Sequence, residues 1–322
     1  MAQLTDLLTV QTGAEVTRGT AVAPTAKLTG VGEGFRITPV RRSLRHQEMR
    51  GSLAPAYNAT LTFAEATASM PVIWTYEDAP LILNSAFSEA VPTGDGPYTY
   101  TYAAPLTAPA TPRPRTIVLG DTTYAYNITG ALVSSFSISG SAESEITGTV
   151  EWIGVDSEVD TLAVLPDRDV SAIMGQHAAL YIDAHDGTMG STAINATAWE
   201  FELNVNCNRA NTVHLGSTTP DGWFDRKWEG TLRLLLELNA TTDGYIADIL
   251  SSSPLEKQIA IVFTSGTKSF TIEFAGIVEE APALYNDQDG IVGIDLTFSG
   301  MYNDAYGNWL GIEVVNGVDT LP

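Results

Sequence analysis

Residues 199–208 read Trp-Glu-Phe-Glu-Leu-Asn-Val-Asn-Cys-Asn. Trp199, Phe201, Leu203, Val205 and Cys207 fall on one parity, and Glu200, Glu202, Asn204, Asn206 and Asn208 on the other. Successive side chains of a strand point to opposite faces, so the alternation predicts a strand with one dry and one wet face. A loop rich in Gly, Ser, Thr, Pro and Asp runs from Arg209 to Asp225. A second strand follows, with Trp228, Leu232, Leu234, Leu236 and Leu238 on one parity and Glu229, Thr231, Arg233 and Glu237 on the other; Leu235 interrupts the polar side. The stretch reads as a long antiparallel hairpin with an acidic face and an extended tip.

Outward from this hairpin, helical periodicity is scarce and Gly, Thr, Ser, Tyr and β-branched residues are plentiful, so the chain reads as mainly β. Its 322 residues, 44% of them hydrophobic, suffice for one large or two ordinary domains. A formal net charge of −22 excludes an attractive nucleic-acid groove, which needs a surplus of Lys and Arg. It is compatible with a surface that nucleic acid must pass without sticking. The single cysteine, Cys207, excludes an intramolecular disulfide framework and a cysteine zinc site, and its dry parity makes it a small core hydrophobe. The start, from Met1 to Val10, has no basic n-region or long apolar run, and no window reaches the length of a membrane span. The expectation is a soluble, cytosolically made protein without cofactor or metal.

In chain order, residues 1–33 read as an arm ending in a short strand near 27–29. A strand follows with Phe35, Ile37 and Pro39 opposite Arg36 and Thr38, then a basic stretch of Arg41, Arg42, Arg45, His46 and Arg50. In a chain with 16 Lys and Arg this clustering is informative. The strand resumes over 57–65, completing a second long-tipped hairpin. A short helix is predicted over 70–78, capped near Ser69 with Pro71 in its first turn. Residues 93–114 read as an excursion carrying an alternating Tyr98, Tyr100, Tyr102 ladder and four prolines from Pro105 to Pro114. Strands are expected over 116–119, 123–128, 131–139 and 145–153. Residues 155–178 are acidic and weakly patterned, and the inter-domain linker is placed there, over 157–178. Beyond it come a strand at 179–183, a turn at His185-Asp186-Gly187, and the opening hairpin. A helix over 242–250 is capped by Asp243, with Tyr245, Ile246, Ile249 and Leu250 on one side. Strands at 258–264, 269–274, 277–281 and 291–299 lead to a polar, aromatic tail. The resulting division is an arm (1–33), one domain over 34–156, the linker, and a second domain with tail over 179–322.

The two halves have the same order of parts: a long-tipped hairpin, a short helix, then a hairpin pair leading into a last strand. Gly130 and Gly154 are 24 positions apart, as are Gly276 and Gly300. Val150-Glu151-Trp152-Ile153-Gly154 lines up with Leu296-Thr297-Phe298-Ser299-Gly300. Identity is low, so this internal duplication rests on order and periodicity. Two tandem copies can occupy two neighbouring places in a ring, and three chains would then make a pseudo-six-fold ring by heterologous, closing contacts. Each unit would add its hairpins to a barrel with no free edges.

With these parts in place the chain resembles the major tail tube proteins of long-tailed bacteriophages in their fused two-domain form. The resemblance covers most of the chain. It rests on the ordered set of the arm with Gly19-Thr20, the basic hairpin tip, the Tyr98-Thr99-Tyr100-Thr101-Tyr102 ladder before Pro105, Arg115-Thr116-Ile117-Val118 before a turn, and Leu180-Tyr181-Ile182-Asp183 with Gly190-Ser191-Thr192. It implies two tandem β-sandwich or half-barrel domains, each with one short helix and a long hairpin loop, assembling into stacked trimeric, pseudo-hexameric rings. DNA would cross the lumen without specific binding. The implied partners are further copies of the chain and the tape measure, tail terminator and tip proteins, with no membrane; the implied location is the virion tail, after synthesis in the host bacterial cytoplasm. Tips at 41–55 and 209–225 would join ring to ring through Arg41, Arg42, Arg45, Arg50, Arg209 and Asp225. Wet strand faces would line the channel with Glu151, Glu200, Glu202, Glu229, Glu237 and Asp295, which sit on wet parities by the residue pattern alone. Acidic walls repel phosphate, though salt screens this beyond roughly 8–10 Å.

Catalytic signals are weak, and no enzyme is expected. Asp183, His185 and Asp186 have ligand chemistry, but Gly187 marks a turn. Asp287-Gln288-Asp289-Gly290 has the centre of a calcium loop, yet Tyr285 and Leu296 occupy positions that require ligands, so it reads as a hairpin turn. The alternative function class is a carbohydrate-binding or adhesin-like β-sandwich, which would use an exposed Tyr ladder with Tyr302, Tyr306 and Trp309. A carboxylate hydrolase is weaker, since no carboxylate pair stands out.

Overall fold

The computed structural model describes residues 7–51, 54–194, 197–251, 254–282, 286–288 and 290–322. Residues 1–6, Ser52 and Leu53 of the basic tip, Tyr285 and Asp289 lie outside the described residues. The first half carries β1 (Thr9–Ala14), β2 (Ala26–Leu28), β3 (Arg36–His46), β4 (Asn58–Ile73), α1 (Ala79–Ala86), β5 (Tyr98–Ala103), β6 (Arg115–Gly120), β7 (Ala125–Ser141), β8 (Thr147–Gly154) and β9 (Val159–Asp160). The second carries β10 (Ala178–Ala184), β11 (Ala198–Asn206), β12 (Arg209–Thr212), β13 (Gly222–Asp225), β14 (Glu229–Glu237), α2 (Ala240–Leu250), β15 (Leu255–Ser265), β16 (Lys268–Val278), β17 (Asn286–Gln288), β18 (Ile291–Gly300) and β19 (Leu310–Asn316). The mainly β expectation holds.

Among the described residues every strand pairing is antiparallel. In the first half the ladder runs β1–β6–β7–β8–β4–β3. In the second it runs β10–β15–β16–β18–β14–β11. Gly276 lies directly opposite Gly300. Gly130 and Gly154 lie near the same end of the β7–β8 pair, where Val155 N–H donates to Thr129 O at 2.7 Å. The glycine spacing noted in the sequence therefore marks where two strands lie close: a Cβ on Gly154 would sit 2.4 Å from the Ile128 side chain, and one on Gly276 2.7 Å from Ser299 O. The halves join edge to edge, β7 pairing with β11 from Ser135↔Asn206 to Ser141↔Glu200. A second join pairs β5 with β19.

Several local expectations change. The helix predicted over 70–78 is the end of β4, which pairs with β8 as far as Ile73↔Thr147. Pro71 is tolerated there because β3 has already ended: its carbonyl faces Gly32 N–H at 2.8 Å, and a proline nitrogen pointing the same way removes no bond to β8. The helix starts at Ala79, directly after the predicted stretch, with Pro80 in its first turn. The cap of α2 is Asn239, in a capping box with Thr242, and Asp243 lies inside the first turn. The strands expected at 123–128 and 131–139 are one strand, as are those at 269–274 and 277–281. Polar composition hid β1, whose Gln11 and Thr12 are buried between β2 and β6. The residues placed in the linker are docked: Gln11 exchanges two hydrogen bonds with Ala163, and Arg168 pairs with Asp78 at the start of α1.

One cluster of buried side chains runs through both halves. Trp74 packs on Phe136 at 6.4 Å and on Phe270 of the second half at 6.3 Å, and Phe87 meets Trp228 at 5.1 Å. Tyr100 and Tyr102 point into this core, at 0% and 2% exposure, because β5 is covered by β19. Trp309 is buried as well. The tyrosine ladder is thus not an exposed platform, which removes the feature a carbohydrate-binding reading would use; Tyr302 alone of the tail aromatics named for it is exposed.

Candidate functional site

Joining the two ladders gives one continuous antiparallel sheet, β3–β4–β8–β7–β11–β14–β18. Residues directly opposite in such a ladder put their side chains on the same face. Ser69 is opposite Glu151, and Glu151 opposite Ser135. Asn204 is opposite both Ser137 and Thr231, Glu202 opposite Ser139 and Arg233, and Glu200 opposite Ser141 and Leu235. Leu235 is opposite Asp295, and Glu237 opposite Gly293. All six residues expected to line a channel therefore share one face of one sheet, although they come from β8, β11, β14 and β18. The other face carries Trp152, Phe136, Ile138, Leu203, Val205, Leu232, Leu234 and Phe298, all buried.

The polar face forms a groove of about 620 Å³ bordered by Ser137, Thr149, Glu151, Asn204, Glu229 and Thr231. Its carboxylates are not equivalent. Asp295 accepts two hydrogen bonds from Arg233, at 2.9 Å from Nε and 2.6 Å from Nη2, and Arg233 also lies 3.8 Å from Glu200. The hydrogen bonds that Arg233 donates to Asp295, opposed by burial and helped by the charges of Asp295, Glu200 and Glu202, raise the Arg233 pKa above its ordinary value. Asp295 is thus largely neutralised, and the net acidity of the face rests on the glutamates. Glu151 accepts from Ser69 Oγ at 2.6 Å, Glu202 from Asn204 Nδ2 at 2.9 Å, and Glu237 from Thr197 Oγ1 at 2.8 Å. The column Ser135, Ser137, Ser139, Ser141 on β7 belongs to the same face and was not singled out from sequence. Its signal was present: the serines alternate with Phe136 and Ile138.

The residues expected at joining tips divide into two groups. Arg41, Arg42, Arg45 and Arg50 are exposed on the β3–β4 hairpin. Arg41 pairs with Asp156 at 2.6 Å, Arg42 lies over the Phe63 ring at 5.1 Å, and Arg50 lies over Tyr57 at 4.9 Å and pairs with Glu48. Arg209 and Asp225 are instead interior, with side-chain exposures of 0% and 3%, so these two side chains are not presented for contact. Arg209 Nε and Nη2 grip Asp225 at 2.7 and 3.0 Å. Its remaining N–H groups donate to Ser85 O (3.1 Å), Val133 O (2.7 Å) and Ala86 O (2.9 Å), so all five donors are used.

The features with ligand chemistry are structural. Asp183 accepts from Ser191 Oγ at 2.7 Å and Thr192 N at 2.8 Å. Burial opposes its charge, but these bonds outweigh it and hold its pKa below the ordinary carboxylate value. Asp287 Oδ1 accepts from Gly290 N at 2.8 Å, closing the turn between β17 and β18. Burial pushes the Cys207 thiol up to about 12, so it stays protonated and inert at neutral pH. Among the described residues no group of three or more His, Cys, Asp or Glu is placed to hold a metal ion. Among them, too, no helix is long and apolar enough to cross a membrane.

The fold defines a mainly antiparallel β protein whose carboxylates gather on a broad polar sheet face. A family model described as phage tail tube protein matches residues 6–300, nearly the whole length, and the chain belongs to that family. It is a structural tail tube subunit, a component of the virion tail that self-assembles into a tube. Comparison with curated proteins finds no match.

Proposed function

We propose that three copies of the chain close into a pseudo-six-fold ring, and that stacked rings enclose a channel for the passage of DNA walled by the polar face of the seven-strand sheet. Two tandem units, residues 34–156 and 179–322 joined by 157–178, supply two neighbouring places in the ring. The matching ladders β1–β6–β7–β8–β4–β3 and β10–β15–β16–β18–β14–β11 support descent from one duplicated unit.

The observation that carries the channel is the common face of Glu151, Glu200, Glu202, Glu229 and Glu237. Glutamates among serines, threonines and asparagines give a wall that repels phosphate at short range and offers few cations to bind it. The basic β3–β4 hairpin, exposed on both sides over 58–62, serves as the contact between rings. The ends of the tube take the terminator and tip proteins, and the lumen takes the tape measure protein before DNA. No chemistry is required of the subunit, which is not an enzyme in this reading.

Electron microscopy of the concentrated protein tests it, with tubes or stacked rings around a central hole expected. A protein that stays monomeric at all concentrations and salt conditions overturns the proposal. In an infectious phage, Glu200→Lys with Glu202→Lys should leave assembly intact and slow genome ejection; ejection at the unaltered rate would remove the role of wall charge.

A further inference from the structure

Arg113-Pro114-Arg115 leads the chain from the proline-rich excursion into β6. Proline keeps the residue before it extended, and alternate residues of an extended chain share a side. The two arginines are therefore sent the same way. The lead-in is tied to α1, with Arg113 N donating to Asn84 O at 2.7 Å and Ser85 Oγ to Arg113 O at 2.8 Å. In the ladder Arg115 is opposite Ala14 of β1 and Ala131 of β7, and Thr12 is opposite Ile117. Arg115 and Thr12 are thus diagonal neighbours on one face. That face is turned to the core, since Ile117, Ile128 and Ala131 on it are all buried.

Two other covered arginines show how this fold completes a guanidinium. Arg209 spends its donors on Asp225 and three carbonyls. Arg18 donates to Gly130 O, Gly222 O and Asn211 Oδ1. Arg115 is buried at 2% exposure. Among the described residues its Nε and Nη1 have no hydrogen-bond partner, and neither do Arg113 Nε and Thr12 Oγ1, all four of them buried atoms.

Charge is left over as well as hydrogen bonds. Arg113 pairs with Glu89 at 3.4 Å and Arg168 with Asp78, and Arg115 belongs to no ion pair of the described residues. Burial is the largest influence on Arg115 and lowers its pKa; Tyr102 and Glu89 oppose the fall, Arg113 and Arg168 add to it, and the result is about 10. The group therefore remains a cation at neutral pH. Tyr102 does not balance it: burial holds that phenol well above its ordinary pKa, and its proton goes to Asn84 Oδ1 at 2.9 Å. Water at these donors would complete the hydrogen bonds and leave the buried charge uncompensated, which is the costlier of the two defects.

We infer that Arg115, Arg113 and Thr12 hold a small monovalent inorganic anion, of the chloride class, inside the first half of the chain. Access sets its size. Arg113 is partly exposed and Arg115 is not, so the ligand enters past Arg113 and must be compact. Bound there, it joins β1, β6 and the lead-in to β6, and it stabilises the folded chain by mass action. The site is independent of how copies of the chain assemble.

Two measurements on the full chain decide it. Crystals soaked in sodium bromide should show an anomalous peak within hydrogen-bond reach of Arg115 Nε or Nη1. Ordered water alone at these atoms, or bromide elsewhere as an adventitious ion only, overturns the proposal. In solution, sodium gluconate is exchanged for sodium chloride at constant ionic strength, which holds screening fixed. Arg115→Met keeps an unbranched stem without the charge, and its melting temperature reports the non-specific effect of the exchange. The unaltered protein should gain a few degrees more than this variant as chloride replaces gluconate; equal shifts overturn the proposal. Should Arg115→Met not fold, the bromide map on the unaltered protein decides alone.

Discussion

The β3–β4 hairpin and the 209–225 loop each connect two antiparallel strands of the long sheet, and they have opposite fates. The first stands clear: residues 58–62 are exposed on both parities, and its arginines are exposed or stacked on the hairpin's own aromatics. The second folds back on the first half. Thr218 O accepts Ala64 N–H at 2.7 Å, Asn211 Nδ2 donates to Gly154 O at 3.0 Å, and Arg18 bridges to Gly222 O at 3.0 Å and Asn211 Oδ1 at 2.6 Å. Burial, reinforced by the nearby Arg209 charge and opposed by Glu15, lowers the Arg18 pKa to about 10. One tip thus stands free while the other clamps the two halves of the chain together.

The largest effect is expected at the clamp. Arg209→Ala leaves Asp225 buried without its partner and three backbone carbonyls without donors, and such breakage costs about 3–5 kcal/mol. Chemical denaturation should show that loss. A change within about 0.5 kcal/mol, the size of an ordinary surface substitution, would mean that the loop is no clamp.

Next comes a packing test of the equivalence between the halves. Gly276→Ala places a methyl 2.7 Å from both Phe274 and Ser299 O. Overpacking of this kind costs about 1–3 kcal/mol, and a thermal melt with unchanged stability would show that the strands at Gly276 and Gly300 are not closely apposed.

Replacing residues 43–62 by an Asn-Gly turn between Arg42 and Phe63, which already pair, should leave the melting temperature within a few degrees. It should stop growth beyond single rings in electron micrographs. Full-length tubes from this variant would place the inter-ring contact elsewhere.

The smallest effect belongs to Glu313 on β19. Burial, followed by the charge of Glu273, raises its pKa. A raised carboxylate pKa favours the folded state as the group protonates, so the charged form costs stability at neutral pH. Glu313→Gln should therefore be slightly more stable at pH 7, by less than about 1 kcal/mol after solvent screening. The advantage should shrink as pH falls through the raised pKa and vanish below the ordinary glutamate value of about 4.3. An advantage that persists at pH 3 would show that it does not come from this charge.

Alternation alone made β11, β14 and β18 legible, and with them the wet parities of Glu200, Glu202, Glu229 and Asp295, because a side-chain period of two depends on neighbouring residues in the chain. The glycine spacing was legible for a related reason: at Gly154 and Gly276 a Cβ would collide with neighbouring atoms, so the close approach leaves a mark in the sequence. The stretch 70–78 misled because a proline two positions after a serine looks the same at a helix start and at a strand whose outer neighbour has ended. Tertiary structure decided what alternation cannot reach. It made the polar faces of β8, β7, β11 and β14 one surface, paired Arg233 with Asp295 across strands, and drew Arg209 inside. Those outcomes depend on which strands become neighbours, and contacts between residues distant in the chain, such as Arg233 with Asp295 or Arg209 with Ser85, leave no local period to read.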